Sequence, residues 1–504
     1  MSAARSKWLL GLATTLATML YSIDSTIVNV ALPHMQGSLQ ITQDQSSWIV
    51  TSYIVISAIA TPLAGWLGTR FGLRNVLLMS IFGFTFGSIL CGVAQGLSDI
   101  VLYRIIQGAF GAALVPLSQV TLLQNFERSQ HAKVMALWGM GVMVGPVIGP
   151  TLGGWLTETL TWRWAFYINL PIGLIAGLGV MAALPRSDAR QHRPFDLMGF
   201  LFLSFAIGLF QLMIDRGQSQ DWFQSGEIVG YAFLAALFAY MYTAHSMTTE
   251  HPFVDIQLFK DVNFSISMLM MFIIGLTLIS TSVLLPGFLQ QLQGLTPTQA
   301  GVLMAARGVA SIAAMMLGAR LQVVLGPRIT TLIGILISAG SLALMSQFSI
   351  DTPKSLIVWV GFAQGIGSPL AFMPLSLIAF ATLSDRMRTE AGALLTLIRN
   401  IGASVGVSVT IAALTVSAQT NQSYLVEKFT LFSPMRWLQS GVTPGANPST
   451  AMLMGEIGRQ ALGIAYANDF FILAACTLLA APLIPWLHNG KSIKPSTTTV
   501  VSDH

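Results

Sequence analysis

The chain has 504 residues, of which 54% are hydrophobic and only 9% are charged. Soluble globular proteins carry about 25% charged residues, so this composition excludes a soluble enzyme or binding domain. Lys and Arg outnumber Asp and Glu by 25 to 20. The basic residues lie in short segments between apolar runs, where the positive-inside rule places them, so binding to nucleic acid is not expected.

Apolar runs long enough to cross a bilayer recur along the whole chain. The first follows a basic N-terminus and is too long for a cleaved signal peptide, so we expect it to be retained. The fold class predicted is therefore an all-α integral membrane protein with fourteen transmembrane helices. The predicted spans are 8–31, 48–67, 75–94, 98–122, 133–156, 163–184, 197–215, 227–246, 264–287, 299–322, 329–348, 355–381, 392–416 and 466–487.

The distribution of Lys and Arg predicts the orientation. With a cytoplasmic N-terminus, sixteen of these residues fall on the cytoplasmic side and six on the outer side. Three of those six lie in one long outer segment, 417–465, and long segments count little for topology. Both termini, including the tail 488–504, are therefore predicted to be cytoplasmic. The remaining three, Arg104, Arg307 and Arg399, fall within spans.

An internal repeat links the fourth span to the twelfth. Both contain Gln-Gly followed by Pro-Leu-Ser, at Gln107-Gly108 and Pro116-Leu117-Ser118 and again at Gln364-Gly365 and Pro374-Leu375-Ser376. The two spans run in the same direction, so the repeat is parallel, as in the two halves of major facilitator transporters. The repeat predicts six-helix bundles at 1–184 and 263–504, with two inserted helices in 185–262.

Several motifs resemble one branch of that superfamily, the 14-span drug:proton antiporters of the EmrB/QacA type. They are "IDSTIVNVALP" (23–33), "YRIIQGAFGA" (103–112) and "GVMVGPVIGPTLGGWL" (141–156). The loop "GWLGTRFGLR" (65–74) is similar as well, but Thr69 stands where many members have Asp. The resemblance implies proton-driven export of hydrophobic or amphipathic toxic compounds from the bacterial inner membrane. In EmrB-like systems it also implies a periplasmic adaptor and an outer-membrane channel.

Other functions have less support in the sequence. An exporter or importer of one specific metabolite on the same fold is the alternative, although the glycine- and proline-rich motif at 141–156 favours export. An enzyme is not expected, because no nucleophile arrangement and no soluble domain are recognisable. Neither a metal nor a cofactor is expected, and both Cys91 and Cys476 fall inside apolar runs, which excludes a disulfide framework.

Asp24 and Arg104 are the predicted proton-coupling residues. At 1.5 Å rise per residue, each lies about 9 Å from the outer edge of the membrane. Ionisable residues inside a membrane usually pair, face the interior and mark ion paths. We therefore expect the two side chains to be close, with Asp24 taking up a proton from outside. A permanent structural ion pair is the alternative.

A polar stripe on the first span is predicted to face a central cavity. Thr and Ser on such a stripe can instead bond to their own helix backbone, and Gln can serve only in helix packing. Arg399 is expected to reach the cytoplasmic face. Three deep Arg and one deep Asp favour weakly acidic or anionic amphiphiles. The residues predicted to line the cavity are Tyr21, Ser25, Asn29, Gln107, Arg307 and Gln364.

Two glycine-rich regions are predicted to control conformational change. The loop at 65–74 presents cations that can hold the neighbouring bundle, although these cations also serve topology alone. The span at 133–156 is closely packable and bendable, because small residues let helices approach and proline introduces kinks. The predicted gating residues are Gly65, Arg70, Gly72, Arg74, Gly145, Pro146, Gly149, Pro150 and Gly153. The outer segment 417–465 is a candidate docking surface for an adaptor.

Overall fold

A computed structural model describes residues 3–185, 194–384, 387–427 and 447–487. Every long element in this part of the chain is a helix. The helices, numbered here in chain order, are α1 (Ala3–Leu39), α2 (Gln43–Phe71), α3 (Leu73–Val93), α4 (Leu97–Gly111), α5 (Leu114–Asn125), α6 (His131–Thr159), α7 (Trp164–Tyr167), α8 (Asn169–Ala183), α9 (Leu197–Gly217), α10 (Gly226–Thr248), α11 (Gln257–Lys260), α12 (Val262–Gly287), α13 (Pro297–Leu325), α14 (Pro327–Met345), α15 (Lys354–Ala381), α16 (Arg388–Glu427) and α17 (Asn447–Leu478).

Thirteen helices in the described part of the chain are long and apolar enough to cross a membrane. They coincide with thirteen of the fourteen predicted spans. The remaining predicted span, 133–156, lies within the 29-residue helix α6. The all-α membrane fold is therefore confirmed. A helical fold is expected in a bilayer, because lipid offers no hydrogen-bond partners and an α-helix pairs its backbone N–H and C=O groups within the same segment.

Local geometry repeats between the two halves. Thr42 caps α2 through a capping box with Gln45, and Thr296 caps α13 in the same way with Gln299. Each of these helices then ends at a glycine with a left-handed backbone, at φ 84° for Gly72 and φ 81° for Gly326. Such values favour glycine because it has no Cβ. Helices α2 and α13 therefore share the same N-terminal capping box and the same C-terminal glycine.

Helix packing repeats as well. A Cβ added to Gly145 would collide with the carbonyl of Ser22, and one added to Gly406 would lie 2.6 Å from the carbonyl oxygen of Leu276. Likewise Gly108 lies against the Tyr53 carbonyl and Gly365 against the Arg307 carbonyl. Small residues allow these close approaches in membrane helices. The contact between α1 and α6 in the first half is thus repeated as the contact between α12 and α16 in the second. In the same way, the contact between α2 and α4 is repeated as that between α13 and α15.

The inserted helix α9 lies along the outside of the seam between the halves, and α10 packs against α9. On α9, Gly208 packs against Ile59 of α2, and Gln211 Nε2 donates to Ser404 Oγ of α16 at 2.7 Å. Ser408 Oγ donates to the Ile214 carbonyl, also at 2.7 Å. The first inserted helix therefore contacts both bundles at once.

The two bundles meet on the side of the membrane where α1 begins, here termed the near side. One buried apolar cluster joins residues of both halves there, including Trp138 of α6, which stacks on Phe372 of α15 at 5.8 Å. Towards the opposite, far side, the buried clusters are separate. One lies wholly within 23–166 and another wholly within 284–474. The halves are thus closed against each other on the near side.

The predicted outer segment 417–465 is largely helical where it is described. Helix α16 continues to Glu427 and α17 already begins at Asn447. At 1.5 Å per residue the 40-residue α16 is about 60 Å long, roughly twice the thickness of the hydrocarbon core. The predicted outer segment therefore begins and ends in helix, and its place outside the membrane stays a prediction. The part at 428–446 and the tail 488–504 lie outside the described residues.

Candidate functional site

The side chains of Asp24 on α1 and Arg104 on α4 form a direct ion pair, with Arg104 Nη1 2.7 Å from Asp24 Oδ2. The two residues have relative exposures of 0% and 1%. Gln107 Nε2 donates to Asp24 Oδ1 at 2.8 Å, and Asn169 Nδ2 donates to the same oxygen at 3.1 Å. The carboxylate thus accepts three hydrogen bonds and is closed to solvent. The predicted proximity is confirmed, whereas the role in proton coupling stays a prediction.

The side chain of Arg104 makes further contacts besides the ion pair. Its Nη1 also donates to Gln107 Oε1 at 2.7 Å, and its Nε donates to the Ile49 carbonyl at 3.1 Å. The guanidinium carbon lies 3.9 Å from the centre of the Tyr53 ring, within cation–π range. Residues of α1, α2, α4 and α8 therefore contact the ion pair. A change in its charge consequently affects the packing of four helices of the N-terminal half.

Asn169 is a functional candidate that the sequence predictions missed. It lies at the start of α8, is fully buried, and donates to Ser88 Oγ at 2.9 Å as well as to Asp24. A signal was present, because Asn169 is a lone amide about 9 Å into an apolar span, the depth predicted for Asp24 and Arg104. The sequence predictions also missed Tyr53, because an aromatic residue is common on both the lipid-facing and the buried side of a membrane helix.

Tyr21 connects the ion-pair cluster to the C-terminal half. Its ring lies 6.0 Å from that of Tyr53, and its hydroxyl accepts a hydrogen bond from Asn400 Nδ2 at 3.3 Å. The neighbouring Arg399 donates to Asn400 Oδ1 at 3.4 Å, and its guanidinium lies 5.6 Å from the Phe372 ring. Arg399 thus lies at the interface between the halves, so the expectation that it reaches the membrane surface is wrong.

The polar stripe of α1 is buried near the N-terminus and opens towards the far side. Thr14 and Thr18 are fully buried and donate to carbonyls of their own helix. Ser25 is half-buried and also bonds within α1, to the Ser22 carbonyl, whereas Asn29 is exposed. Of the predicted cavity residues on this helix, Asn29 is the most accessible.

The other predicted cavity residues are enclosed. Gln107 is fully buried within the ion-pair cluster and does not line a cavity wall. Gln364 is 1% exposed, and its Oε1 has no hydrogen-bond partner among the described residues. Arg307 is 8% exposed, and its Nη2 donates to the Leu278 carbonyl at 3.3 Å. No acidic partner of Arg307 occurs in the described part of the chain. The direction of these side chains depends on helix rotation, which periodicity alone does not fix.

The loop at 65–74 makes one contact between the halves and one within its own half. Gly65 packs against the backbone of Glu390 at the near-side start of α16, which is a contact between the halves. Arg74 Nη2, however, donates to the Met181 carbonyl at 2.8 Å, at the end of α8 in its own half. The last carbonyls of a helix lack backbone partners and attract cations. In this conformation Arg74 therefore contacts its own half, and its role in holding the neighbouring bundle stays a prediction. Arg70 is half-buried and has no side-chain partner among the described residues, and Gly72 supplies the turn.

The glycines of α6 form a close seam with α1. A Cβ on Gly149 would collide with Thr26 Oγ1, and one on Gly153 would lie 2.9 Å from an Ile27 side-chain carbon. Thr26 Oγ1 also donates to the Gly145 carbonyl at 2.9 Å. These three glycines thus bring α6 against the helix that carries Asp24. The side chains of Pro146 and Pro150 lie outside the described residues, so their role as gating residues stays a prediction.

The sequence matches a family model over residues 14–407, and the model describes the Major Facilitator Superfamily. The chain belongs to this superfamily. The buried ion pair, the parallel repeat and the thirteen candidate spans among the described residues are thus features of a member of a transporter family, which agrees with the expectation of a transporter and not an enzyme.

Relatives of this superfamily member align over nearly its whole length. It is 33% identical to the multidrug export protein EmrB of Haemophilus influenzae over 488 residues, which is 95% of each chain. It is 32% identical to the EmrB protein of Escherichia coli K12, over 94% of each chain. It is 30% identical to the fatty acid resistance protein FarB of Neisseria gonorrhoeae, over 95% of this chain and 96% of that one. The predicted resemblance to EmrB-type transporters is confirmed.

A solved structure supports the fold. The human organic anion transporter MFSD10 (TETRAN) superposes with a TM-score of 0.61, covering 96% of this chain and 100% of that one. The sequence identity is 13%, so the likeness concerns the fold alone. This superfamily member is accordingly a multi-pass membrane transporter built on the major facilitator fold.

Proposed function

We propose that this protein is a proton-driven exporter of hydrophobic or amphipathic toxic compounds, working by alternating access in the bacterial inner membrane with both termini cytoplasmic. The observation that carries the proposal is the sealed Asp24–Arg104 pair, 2.7 Å apart and joined through Tyr53 and Tyr21 to the C-terminal half. The names of the EmrB relatives as multidrug export proteins support export.

Proton coupling through this pair has a direct physical basis. In the conformation described, the charges compensate each other in a buried site. When Asp24 takes up a proton, Arg104 becomes a buried cation without a counter-charge, which disfavours that conformation by several kcal/mol. A rearrangement that hydrates Arg104 then becomes favourable. Because Tyr53 and Tyr21 lead from Arg104 to Asn400, the rearrangement reaches the contact between the halves.

The substrate class proposed is weakly acidic or anionic amphiphiles. Asp24 is neutralised by Arg104, whereas Arg307 and Arg399 have no acidic partner in the described part of the chain. A buried cation such as Arg307 and a half-buried one such as Arg399, neither with an acidic partner among the described residues, favour an anionic ligand. The name of one relative points the same way, because FarB is a fatty acid resistance protein.

A periplasmic adaptor and an outer-membrane channel are the proposed partners. The far-side continuation of α16 to Glu427 and the beginning of α17 at Asn447 extend beyond what a bilayer crossing needs. Helices that project from the membrane offer a surface on which an adaptor can dock. Deletion of 428–446 is expected to leave transport in reconstituted vesicles intact while drug resistance in cells is lost.

The test of the function is an efflux assay in inverted membrane vesicles, with anionic, neutral and cationic dyes and a pH gradient that can be collapsed. We expect gradient-dependent accumulation of several chemically unrelated dyes, strongest for the anionic ones. Accumulation that persists without the gradient would overturn proton coupling. Transport of only one compound would favour the alternative, an exporter or importer of a specific metabolite.

A further inference from the structure

The C-terminal half contains a second buried carboxylate. Asp469 of α17 has a relative exposure of 0%, and neither of its side-chain oxygens has a hydrogen-bond partner among the described residues. It faces an apolar cluster, because Tyr466 and Leu473, at helical spacing on either side of it, are both buried in that cluster. A deeply buried acid without a donor or a cation needs an explanation.

The position of Asp469 corresponds to that of Asn169 in the first half. At an offset of 300 residues, Ala165, Phe166 and Asn169 align with Ala465, Tyr466 and Asp469, and all six are buried. The match continues along both helices, because Gly173, Gly177 and Val180 are buried and so are Leu473, Thr477 and Ala480. The residue that donates a hydrogen bond to Asp24 in the first half is therefore replaced by an acid in the second.

The partners in the first half are replaced as well. With the offset of 257 that aligns Gln107 with Gln364, Thr281 stands in the place of Asp24 and Gly361 in the place of Arg104. Thr281 and Gln364 are both buried, and the Oε1 atom of Gln364 also lacks a partner in the described part of the chain. The second half thus keeps a buried acid and a glutamine, but has a glycine at the position that corresponds to Arg104.

The helices that pack around Asp469 contain few ionisable residues. Helix α12 contains no ionisable residue, α14 only Arg328 at its opposite end, and α15 only Lys354 at its start. Along α17, Tyr466 and Cys476 lie within two turns, while Arg459 pairs with Glu456 nearer the start of the helix. The ionisable residues of α16 are Arg388, Glu390, Arg399, Tyr424 and Glu427, away from Ser417, where Asn468 contacts that helix.

We propose that Asp469 is a second proton-binding group of the transporter, independent of the Asp24–Arg104 pair. In an apolar cluster without donors, an ionised carboxylate is strongly disfavoured, and the group holds a proton instead. The conformation described is then the one in which Asp469 is protonated and Asp24 is ionised. A conformational change that hydrates Asp469 releases its proton. The transport role rests on the proposed proton coupling, whereas the protonation itself does not.

A small cavity lined partly by hydroxyl groups lies further along the same bundle. This cavity of about 10 Å³ lies between α12, α14, α15 and α17, and its polar lining consists of Thr277, Ser338, Ser368 and Thr477. A space of this size is near the minimum for one water molecule. Thr477 lies two turns beyond Asp469 on the same helix, about 12 Å along its axis.

Infrared spectroscopy of the full-length protein in lipid nanodiscs tests the protonation. At neutral pH the wild type is expected to show a protonated-carboxyl band that is lost in Asp469→Asn and is kept, with a shift, in Asp469→Glu. Asp221→Asn, which removes an exposed carboxylate, serves as the control and should leave the band unchanged. A band unaffected by Asp469→Asn overturns the proposal.

Proteoliposomes then test the role in transport. The number of protons exchanged per dye is expected to fall in Asp469→Asn, and the pH profile of efflux is expected to shift. An unchanged stoichiometry with an unchanged profile overturns the transport role. If Asp24→Asn keeps full coupling, the proposed function fails at Asp24, and the infrared result on Asp469 still decides the protonation independently.

Discussion

The carboxylate of Asp24 and the guanidinium of Arg104 lie 2.7 Å apart, 80 positions apart in sequence, and neither is accessible to solvent. Their helices also carry Gln107, and Asn169 completes the set of donors around the carboxylate. A pair as enclosed as this one is stable only while both charges are present, because a single buried charge is costly. Protonation and substitution should therefore have large effects here.

Substitution of Asp24 by Asn is expected to abolish proton-driven transport. The amide keeps the shape of the side chain but cannot take up or release a proton, so dye accumulation in inverted vesicles should fall to the passive rate. Asp24→Glu, which keeps the ionisable group, should retain part of the activity. Full coupling in Asp24→Asn at equal expression would show that the pair is only structural.

Removal of Arg104 is expected to destabilise the protein by about 3–5 kcal/mol, because Asp24 is then left buried without a counter-charge. The double variant Asp24→Asn/Arg104→Gln removes both charges and should recover much of that loss. Thermal unfolding in detergent measures the difference. A double variant that is no more stable than the single variant Arg104→Gln would argue against mutual compensation.

A methyl group at Gly145 is expected to force α6 away from α1. Because a Cβ there would collide with the Ser22 carbonyl, Gly145→Ala should cost on the order of 1–3 kcal/mol and lower transport. Gly340→Ala on α14 is the matched control, since no atom lies within 4 Å of its added Cβ. Equal unfolding temperatures of the two variants would contradict the close-seam interpretation.

A crosslink across the near side is expected to stop transport. A Cβ on Gly65 would lie 3.1 Å from Glu390 Cα, so cysteines at these two positions should form a disulfide under mild oxidation. The bond would hold the halves closed, and a reductant should restore activity. The single variant Gly65→Cys controls for the substitution itself. Transport that continues with the crosslink formed would show that this contact does not open.

Neutralisation of Arg307 is expected to change substrate preference. Arg307→Gln should lower efflux of anionic dyes by about tenfold, in line with loss of a hydrogen bond to a charged group, and should affect neutral dyes less. Arg320→Gln on the same helix removes an exposed cation and serves as the control. An equal loss for anionic and neutral dyes would point to a structural role for Arg307.

Sequence patterns predicted the site only in part. The constant rise of an α-helix makes depth readable, so the matching depths of Asp24 and Arg104 predicted their contact. Rotation about the helix axis is not readable in this way. Gln107 was therefore predicted to line the cavity, although its side chain hydrogen-bonds to the ion pair. Arg74 was predicted to contact the neighbouring bundle, although its side chain donates to the Met181 carbonyl within its own half.

The sequence by itself determined the helices, their repeat and the transporter family, because lipid forces every span to satisfy its own backbone and leaves the pattern of apolar runs and glycines plainly visible. Only the tertiary structure decided which polar side chains meet. It brought Asn169 to Asp24, Asn400 to Tyr21, and left Asp469 without a partner among the described residues. Contacts between helices far apart in the chain depend on rotation and packing at many close approaches together, and a single sequence does not specify them one by one.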